Sequence, residues 1–170
     1  MKRITFFILL FIVPIITFGQ KFAYVDTEYI LSNIPSYKAA QDKLNNLSIE
    51  WQKEIEEEYT KIDQMYKDFQ SEKVLLTNEM IKQREAEILA EEKSVKNLQR
   101  KYFGPNGELF KKREELIKPI QDEVYTVIQD IAQSGNYAII FDTATGSNVL
   151  FTDPKYDKSD EVLEKLGYKN

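Results

Sequence analysis

The 170-residue sequence contains no cysteine and no histidine. Without cysteine the chain forms no disulfide and offers no thiol nucleophile. Without histidine it lacks the side chain that most often acts as a general base or binds a metal near neutral pH. Paired carboxylates remain possible catalysts, but no motif marks a pocket that would hold them. We therefore expect a protein that is not an enzyme, with no catalytic, cofactor-binding or metal-binding residues.

Glycine and proline are also missing from the long stretch between Ser36 and Arg100. These two residues disfavour a helix interior most strongly, and the stretch is rich instead in Glu, Lys, Gln and Leu. Apolar residues recur every three or four positions from Tyr37 to Phe69, with charged residues between them. So narrow a stripe is typical of a coiled-coil seam and not of a helix buried in a globular core.

A helical hairpin is predicted over residues 36–103. The turn falls near residues 76–78, because Thr77 and Asn78 are favoured N-cap residues. The return helix carries a second apolar stripe formed by Ile81, Ile88, Val95 and Tyr102. Charged residues occupy many of the positions between them, where a filled seam would have apolar residues. At 1.5 Å per residue, the outgoing arm would project about 60 Å. We expect the seam to weaken toward the turn.

The segment from Gly104 to Gly107 interrupts the return helix, since proline lacks the amide hydrogen that an α-helix requires. Helical patterning resumes at Leu109 and is more densely apolar, which indicates packing against a body. The candidate hinge between arm and body is therefore Gly104, Pro105 and Gly107. Pro119 is predicted to kink the second helix, and the stop signal at residues 135–136 to end it.

Strand-like runs occur only near the two ends of the chain. β-branched and aromatic residues predict strands near 22–26, 137–142 and 148–151, followed by an amphipathic helix near 159–167. Asp26 and Asp142 each end a strand and are interpreted as caps. Residues 20–35 and 104–170 would form a body too small to cover its own sheet, so we expect it to associate with identical chains.

The N-terminus has the layout of a secretory signal peptide. Lys2 and Arg3 precede an apolar run of about 15 residues, shorter than the roughly 20 that span a membrane. Small residues at Thr17 and Gly19 predict cleavage after Gly19. An uncleaved anchor is the alternative. Cleavage would leave 21 basic and 28 acidic residues, a net charge of −7, which argues against a nucleic-acid partner. No membrane-spanning segment would remain.

Taken together, these segments resemble the Skp/OmpH family of periplasmic chaperones. The opening segment Phe22–Leu31, the closing segments 136–142 and 148–151, and residues 160–163 are similar to that family in order and spacing. The break at 103–107, with residues 118–120, is similar to members of its Bacteroidetes-type branch. The resemblance covers essentially the whole mature chain.

This resemblance implies an α+β fold: a long antiparallel α-helical coiled-coil hairpin projecting from a small β-sheet body formed by the two chain ends. It also implies a periplasmic homotrimer. Such a trimer would hold unfolded outer-membrane proteins without ATP and prevent their aggregation on the way to the outer membrane. The known members are basic, whereas residues 36–101 here carry 12 basic and 14 acidic residues.

Two sets of candidate site residues follow. The client-binding candidates are apolar residues on the arm, and the spacing of some of them fits the seam as well: Tyr59, Met65, Tyr66, Phe69, Leu75, Leu76, Met80 and Leu89. The candidates for the body and oligomer interface are Phe22, Tyr24, Val25, Ile139, Phe141, Leu150 and Phe151. The alternative function is a structural coiled-coil spacer or stalk of the cell envelope, which would need well-filled seams and no client surface.

Overall fold

The computed structural model describes residues 20–144 and 149–168. The predicted signal peptide, residues 1–19, lies outside the described residues. Two strands and six α-helices follow one another in this part of the chain, with a short 3₁₀ turn at the hairpin tip and another before the last helix. The elements are β1 (Lys21–Val25), α1 (Thr27–Ser32), α2 (Pro35–Glu72), α3 (Asn78–Phe103), α4 (Glu108–Leu116), α5 (Lys118–Gly135), β2 (Tyr137–Asp142) and α6 (Ser159–Lys165).

Helices α2 and α3 form the predicted hairpin. Pro35 starts α2 at a position where its missing amide hydrogen costs nothing, and the 38 residues of this helix extend over roughly 57 Å. A 3₁₀ turn at Lys73–Leu75 ends the outgoing arm. Thr77 then caps α3, because its hydroxyl accepts a hydrogen bond from the Met80 amide at 3.3 Å. The chain therefore reverses direction between Lys73 and Thr77.

The break at Gly104–Gly107 is a compact turn between α3 and α4. The Gly104 amide donates to the Arg100 carbonyl and the Gly107 amide donates to the Gly104 carbonyl, each at 2.9 Å. The sequence predicted that Pro119 kinks a continuous helix, and the structure differs. Pro119 lies in the first turn of α5, after α4 has ended at Leu116, because the first turn has no amide that needs an intrahelical partner.

The body is built from the two distant ends of the chain. β1 and β2 pair in parallel, with Tyr24 opposite Phe141 and Val25 opposite Asp142. On its other side β1 meets the C-terminal segment through a bridge between Tyr24 and Asp157. The predicted end of α5 is confirmed, since Asn136 adopts the left-handed conformation with φ of 53°.

The third predicted strand is wrong within the described residues. Val149 to Phe151 have no regular secondary structure, and Asn148 lies outside the described part of the chain. A strand needs a neighbour to satisfy its amides and carbonyls. Both edges of β1 are occupied, by β2 and by Asp157, and the segment does not pair with the outer edge of β2 in the described residues. The β-forming composition of this segment therefore does not by itself give a strand in the single chain.

The body core lies between the sheet and the helices that flank it. Its fully buried side chains come from β1, α1, α5, α6 and the link between α1 and α2: Val25, Ile30, Ile34, Ile131, Val162 and Leu163. A second cluster joins the lower part of α2 to α4 and α5 through Ala40, Leu44 and Ile117. A third cluster runs along the arm. The second cluster anchors the lower end of the arm to the body through apolar contacts.

Candidate functional site

Three contacts across the arm define the register of α2 against α3. Tyr66 donates to Glu92 Oε1 at 2.9 Å, Tyr102 donates to Glu54 Oε2 at 2.8 Å, and Arg84 lies 3.7 Å from Glu72. In an antiparallel pair, a step of seven residues along α2 corresponds to a step of seven back along α3. The buried side chains of the arm therefore form levels: Ile55 with Tyr102, Ile62 with Val95, and Phe69 with Ile88.

An aromatic cluster closes the lower end of this seam. The rings of Trp51 and Tyr102 stack with centroids 4.7 Å apart and an interplanar angle of 3°. Phe103 meets both rings edge-on, at 6.3 and 6.5 Å. Such ring pairs contribute about 0.5–1.5 kcal/mol beyond the burial of their area. The sequence analysis missed this cluster as a unit, because Trp51 and Tyr102 are far apart in the chain.

The hydrogen bonds to glutamate affect two tyrosines of the arm. The bond to Glu54 raises the pKa of Tyr102, with desolvation acting in the same direction. The bond to Glu92 likewise raises the pKa of Tyr66. In both cases a neighbouring carboxylate disfavours the tyrosinate anion. Both side chains are therefore neutral hydrogen-bond donors across the arm at physiological pH.

The predicted client-binding residues fall into two groups. Phe69 is 6 % exposed and forms part of the seam, as the seam-like spacing of this residue also indicated; client binding by Phe69 stays a prediction. Met65 and Leu76 are half-buried and pack against the same cluster. The remaining five are exposed, with Leu75 at 83 %: Tyr59, Tyr66, Leu75, Met80 and Leu89.

Two exposed apolar residues of the arm were not among the candidates. Val74, in the 3₁₀ turn at the tip, is 88 % exposed, and Ile49 is exposed on the lower part of α2. Val74 adjoins Leu75 in sequence, so the tip carries a continuous apolar surface. A signal was present in the sequence, since Val74 and Ile49 both fall off the stripe that forms the seam.

The body presents an apolar surface made of β1, β2 and the segment before α6. A concavity of about 900 Å³ lies there, lined by Phe22, Tyr24, Phe141, Val149, Phe151 and Tyr156 among others. Leu150 is 99 % exposed, and the other exposed candidates are Phe22, Ile139, Phe141 and Phe151. Tyr24 is half-buried. Val25 belongs to the body core and does not reach this surface.

The candidate hinge residues lie in the turn between α3 and α4. Gly107 is buried, whereas Pro105 is exposed. A Cβ on Gly104 would lie 2.3 Å from the Arg100 carbonyl oxygen, so the backbone approaches itself too closely there for any side chain. Helix α2 runs past this turn without interruption, and Trp51 packs against Phe103, the last residue of α3.

The two aspartates at the strand ends act as caps and tie the body together. Asp26 accepts from the Tyr29 amide at 2.9 Å and caps α1. Asp142 accepts from the Thr27 hydroxyl at 2.7 Å, which joins the end of β2 to the start of α1. Buried Ser159 accepts from the Asp26 amide and donates to Asp157 at 2.6 Å. These carboxylates therefore hold the two chain ends together.

Within residues 20–144 and 149–168, no group of three or more carboxylates is placed to hold a metal ion. In the same part of the chain, no helix is both long enough and apolar enough to cross a bilayer. The exposed tip and the body surface are therefore the two features on which a function can be argued.

Comparison with known proteins places this architecture in a family. Residues 21–166 match the profile of the family described as Outer membrane protein (OmpH-like). An uncharacterized protein of Aquifex aeolicus (strain VF5) is 27 % identical over 161 residues, covering 95 % of this chain and 94 % of the relative.

The fold is similar to a solved structure as well. A crystal structure from Caulobacter crescentus CB15, of an OmpH-like candidate outer membrane chaperone, has a TM-score of 0.68 and 17 % identity, covering 86 % of this chain and 83 % of that one. At that identity the likeness concerns the fold alone. The family profile extends over most of the sequence, from β1 to the end of α6. The chain therefore belongs to the OmpH-like family of outer membrane proteins.

Proposed function

We propose that this protein is an ATP-independent periplasmic holdase that binds unfolded outer-membrane proteins and keeps them from aggregating. The observation that carries the proposal is the exposed apolar tip of the arm, formed by Val74, Leu75 and Met80, in a chain of the OmpH-like family. A soluble coiled coil gains nothing by exposing such residues, whereas a protein that binds unfolded polypeptides needs them.

The chemistry of the arm suits weak binding of many sequences. Tyr59 and Tyr66 offer flat aromatic surfaces, and Met80 has a flexible, polarizable side chain that adapts to different partners. Residues 36–101 carry nearly equal numbers of acidic and basic side chains, so the arm neither selects nor repels a client by net charge. Binding would then depend on apolar contact and be reversible without nucleotide.

The proposal includes a homotrimer, assembled through the apolar surface of the body. Exposed aromatic residues that line a concavity of about 900 Å³ would be covered by other copies of the chain. The segment 149–151 would then find the strand neighbours that the single chain does not offer it. Three arms would project from one body and enclose the client between them.

The cellular location follows from the N-terminal sequence. The basic and apolar pattern of residues 1–19 would direct export, with cleavage after Gly19. The mature chain would act between the two membranes, where unfolded outer-membrane proteins pass. Gly104, Pro105 and Gly107 would let the arm change its angle to the body, with α2 bending elastically beside them because it has no break of its own.

The test is an aggregation assay on the purified mature chain. A urea-unfolded β-barrel outer-membrane protein is diluted from urea with and without an excess of this protein, in the absence of nucleotide, and light scattering is recorded. We expect scattering to be suppressed. Undiminished aggregation at excess protein would contradict the proposal and favour the alternative of an envelope spacer or stalk, which the apolar levels of the seam also fit.

A variant tests the role of the tip. Replacing Val74, Leu75 and Met80 by serine should weaken the suppression while leaving helicity and subunit number unchanged, since none of the three is buried. The matched control replaces Ile49, Phe110 and Tyr125, three exposed apolar residues away from the tip. Equal loss in both variants would show that the tip has no special part in binding.

A further inference from the structure

The seam of the arm alternates between two kinds of level. Midway between the buried levels, the register places Tyr59 opposite Leu98, Tyr66 beside Glu92, to which it donates, and Glu72 beside Arg84, with Lys73 at the same level. The first of these levels is apolar on both helices, the second joins a tyrosine hydroxyl to a carboxylate, and the third is an ion pair. The apolar content of the seam therefore declines toward the tip, at every second level.

A pocket lies in the same distal part of the arm. It has a volume of about 100 Å³ and is lined by Met65, Phe69 and Ile88 and by the exposed residues Asp68, Glu72 and Arg84. This volume is enough for water to enter. Phe69 and Ile88 therefore lack close protein neighbours on that side and are held less tightly than their burial alone suggests.

The lower part of the seam is different. There Trp51 stacks on Tyr102, Phe103 meets both rings edge-on, and Tyr102 donates to Glu54. The distal salt bridge between Glu72 and Arg84 is half-exposed on both sides and contributes at most about 1 kcal/mol. Local opening of a protein begins where packing is poorest. The aromatic cluster would therefore confine any separation of the two helices to the part of the arm beyond it.

We propose that the distal halves of α2 and α3 separate reversibly and that the uncovered seam is a second client-binding surface. It consists of Phe69, Leu76, Ile81 and Ile88, and its occupant is an apolar segment of an unfolded polypeptide. Between the apolar levels, α3 meets α2 only through polar groups in this part of the arm, since Glu92 contacts Tyr66 and Arg84 contacts Glu72. An apolar client segment adds apolar contact at those two levels, where α3 offers none.

This inference rests on the proposed holdase function and goes further, because it assigns binding to side chains that are concealed in the closed arm. It also gives a mechanism for release, since closure of the seam expels the client. Affinity would then depend on the fraction of arms that are open, as for any ligand that binds a minor conformation.

A cross-link across the seam tests the proposal, and the cysteine-free sequence makes the chemistry specific. Lys73→Cys and Arg84→Cys, which the register places at one level near the tip, are bridged with a short bis-maleimide in the full mature protein. Bridging should slow hydrogen exchange of the distal amides and weaken suppression of client aggregation about tenfold or more, in proportion to the open fraction. Equal suppression with and without the bridge would overturn the inference.

The matched control is a bridge within one helix. Lys67→Cys and Ser71→Cys are exposed and one turn apart on α2, so the same reagent joins them without holding α3. This bridge should leave suppression unchanged. If the unbridged protein itself fails to suppress aggregation, the holdase function fails, and the inference with it. If only the seam bridge has no effect, the holdase function stands and the inference is wrong.

A second set of variants does not depend on cross-linking. Lys73→Leu, Arg84→Leu and Glu92→Leu together fill the polar levels and should hold the seam closed, which lowers client affinity although the arm becomes more hydrophobic. The control set Asp63→Leu, Lys67→Leu and Lys82→Leu changes the same charges at exposed positions off the seam. If the seam variant binds clients as well as or better than the control, binding occurs on the closed surface and the inference fails.

Discussion

At the scale of single residues, the close approach of backbone atoms determines which residue can occupy position 107. Gly107 has a φ of −71°, which any residue can adopt. Glycine is required there for a different reason: an added Cβ would lie 2.6 Å from the Tyr102 carbonyl oxygen and 2.9 Å from the Gly104 amide nitrogen. The turn between α3 and α4 is thus closed by backbone packing.

Gly107→Ala should therefore destabilise the protein by about 1–3 kcal/mol, the usual cost of overpacking a well-packed site. Urea unfolding measures the effect as a lower midpoint with an unchanged slope. Asn106→Ala, at an exposed neighbouring position, is the control and should have little effect. A stable Gly107→Ala protein would mean that the turn opens more easily than its backbone contacts suggest.

The raised pKa of Tyr102 predicts a pH dependence. In the unfolded chain this tyrosine has a pKa of about 10. In the folded chain its pKa is higher because its hydroxyl is hydrogen-bonded to Glu54. Its contribution is therefore fully present below about pH 10 and is lost as the pH rises above that value. Above about pH 10, the difference in unfolding free energy between the wild type and Tyr102→Phe should therefore become smaller. In a Glu54→Gln background the narrowing should be much smaller.

At the scale of elements, the arm is a hairpin with a firmly packed lower end. Helix α2 spans 38 residues without a break, and its buried stripe alone would allow several registers against α3. The polar contacts Tyr66–Glu92 and Tyr102–Glu54 select one register, because each needs a donor and an acceptor at the same level. Polar pairs at a seam specify alignment even where they add little stability.

The aromatic cluster should be the most sensitive part of the arm to truncation. Tyr102→Ala removes a buried ring that stacks on Trp51, and we expect a loss of about 3–5 kcal/mol. Trp51 is the single tryptophan of the sequence, so its emission should shift to the red when the stack is lost. Phe110→Ala, on an exposed ring of α4, should change neither quantity appreciably.

At the scale of the whole molecule, the body is incomplete as an isolated unit. Its core joins helices and β1 on one side, while the opposite side of the sheet carries exposed aromatic residues around a large concavity. The sequence contains no cysteine to cross-link so small a body. Association with identical chains is the economical way to cover the remaining apolar surface.

Leu150→Ser combined with Phe151→Ser should dissociate the proposed trimer. Neither residue is buried in the single chain, at 99 % and 83 % exposure, so the fold of each subunit should persist. Sedimentation or light scattering would give the mass. Tyr125→Ser, exposed on α5 away from the sheet, should leave the assembly intact. A wild type that is already monomeric, or a double variant that remains trimeric, would contradict the proposed interface.

Much of this architecture could be predicted from the sequence, because its signals are local. The absence of glycine and proline between residues 36 and 100 predicted the long helices, and Thr77 and Asn136 predicted where helices start and stop. These features depend on the conformational preferences of a few neighbouring residues. The two paired strands could be predicted for the same reason, from short runs of β-branched and aromatic residues.

Which residues share a surface was decided only by the tertiary structure. Tyr66 and Phe69 belong to one apolar stripe in the sequence, yet one is exposed and the other is buried. The stack of Trp51 on Tyr102 and the irregular path of Val149 to Phe151 likewise depend on distant partners. By itself, the sequence determined the hairpin, since helix formation is local. The exposed tip, the aromatic cluster at the lower end of the arm and the exposed apolar surface of the body depend on contacts between residues far apart in the chain. No local pattern contains these contacts.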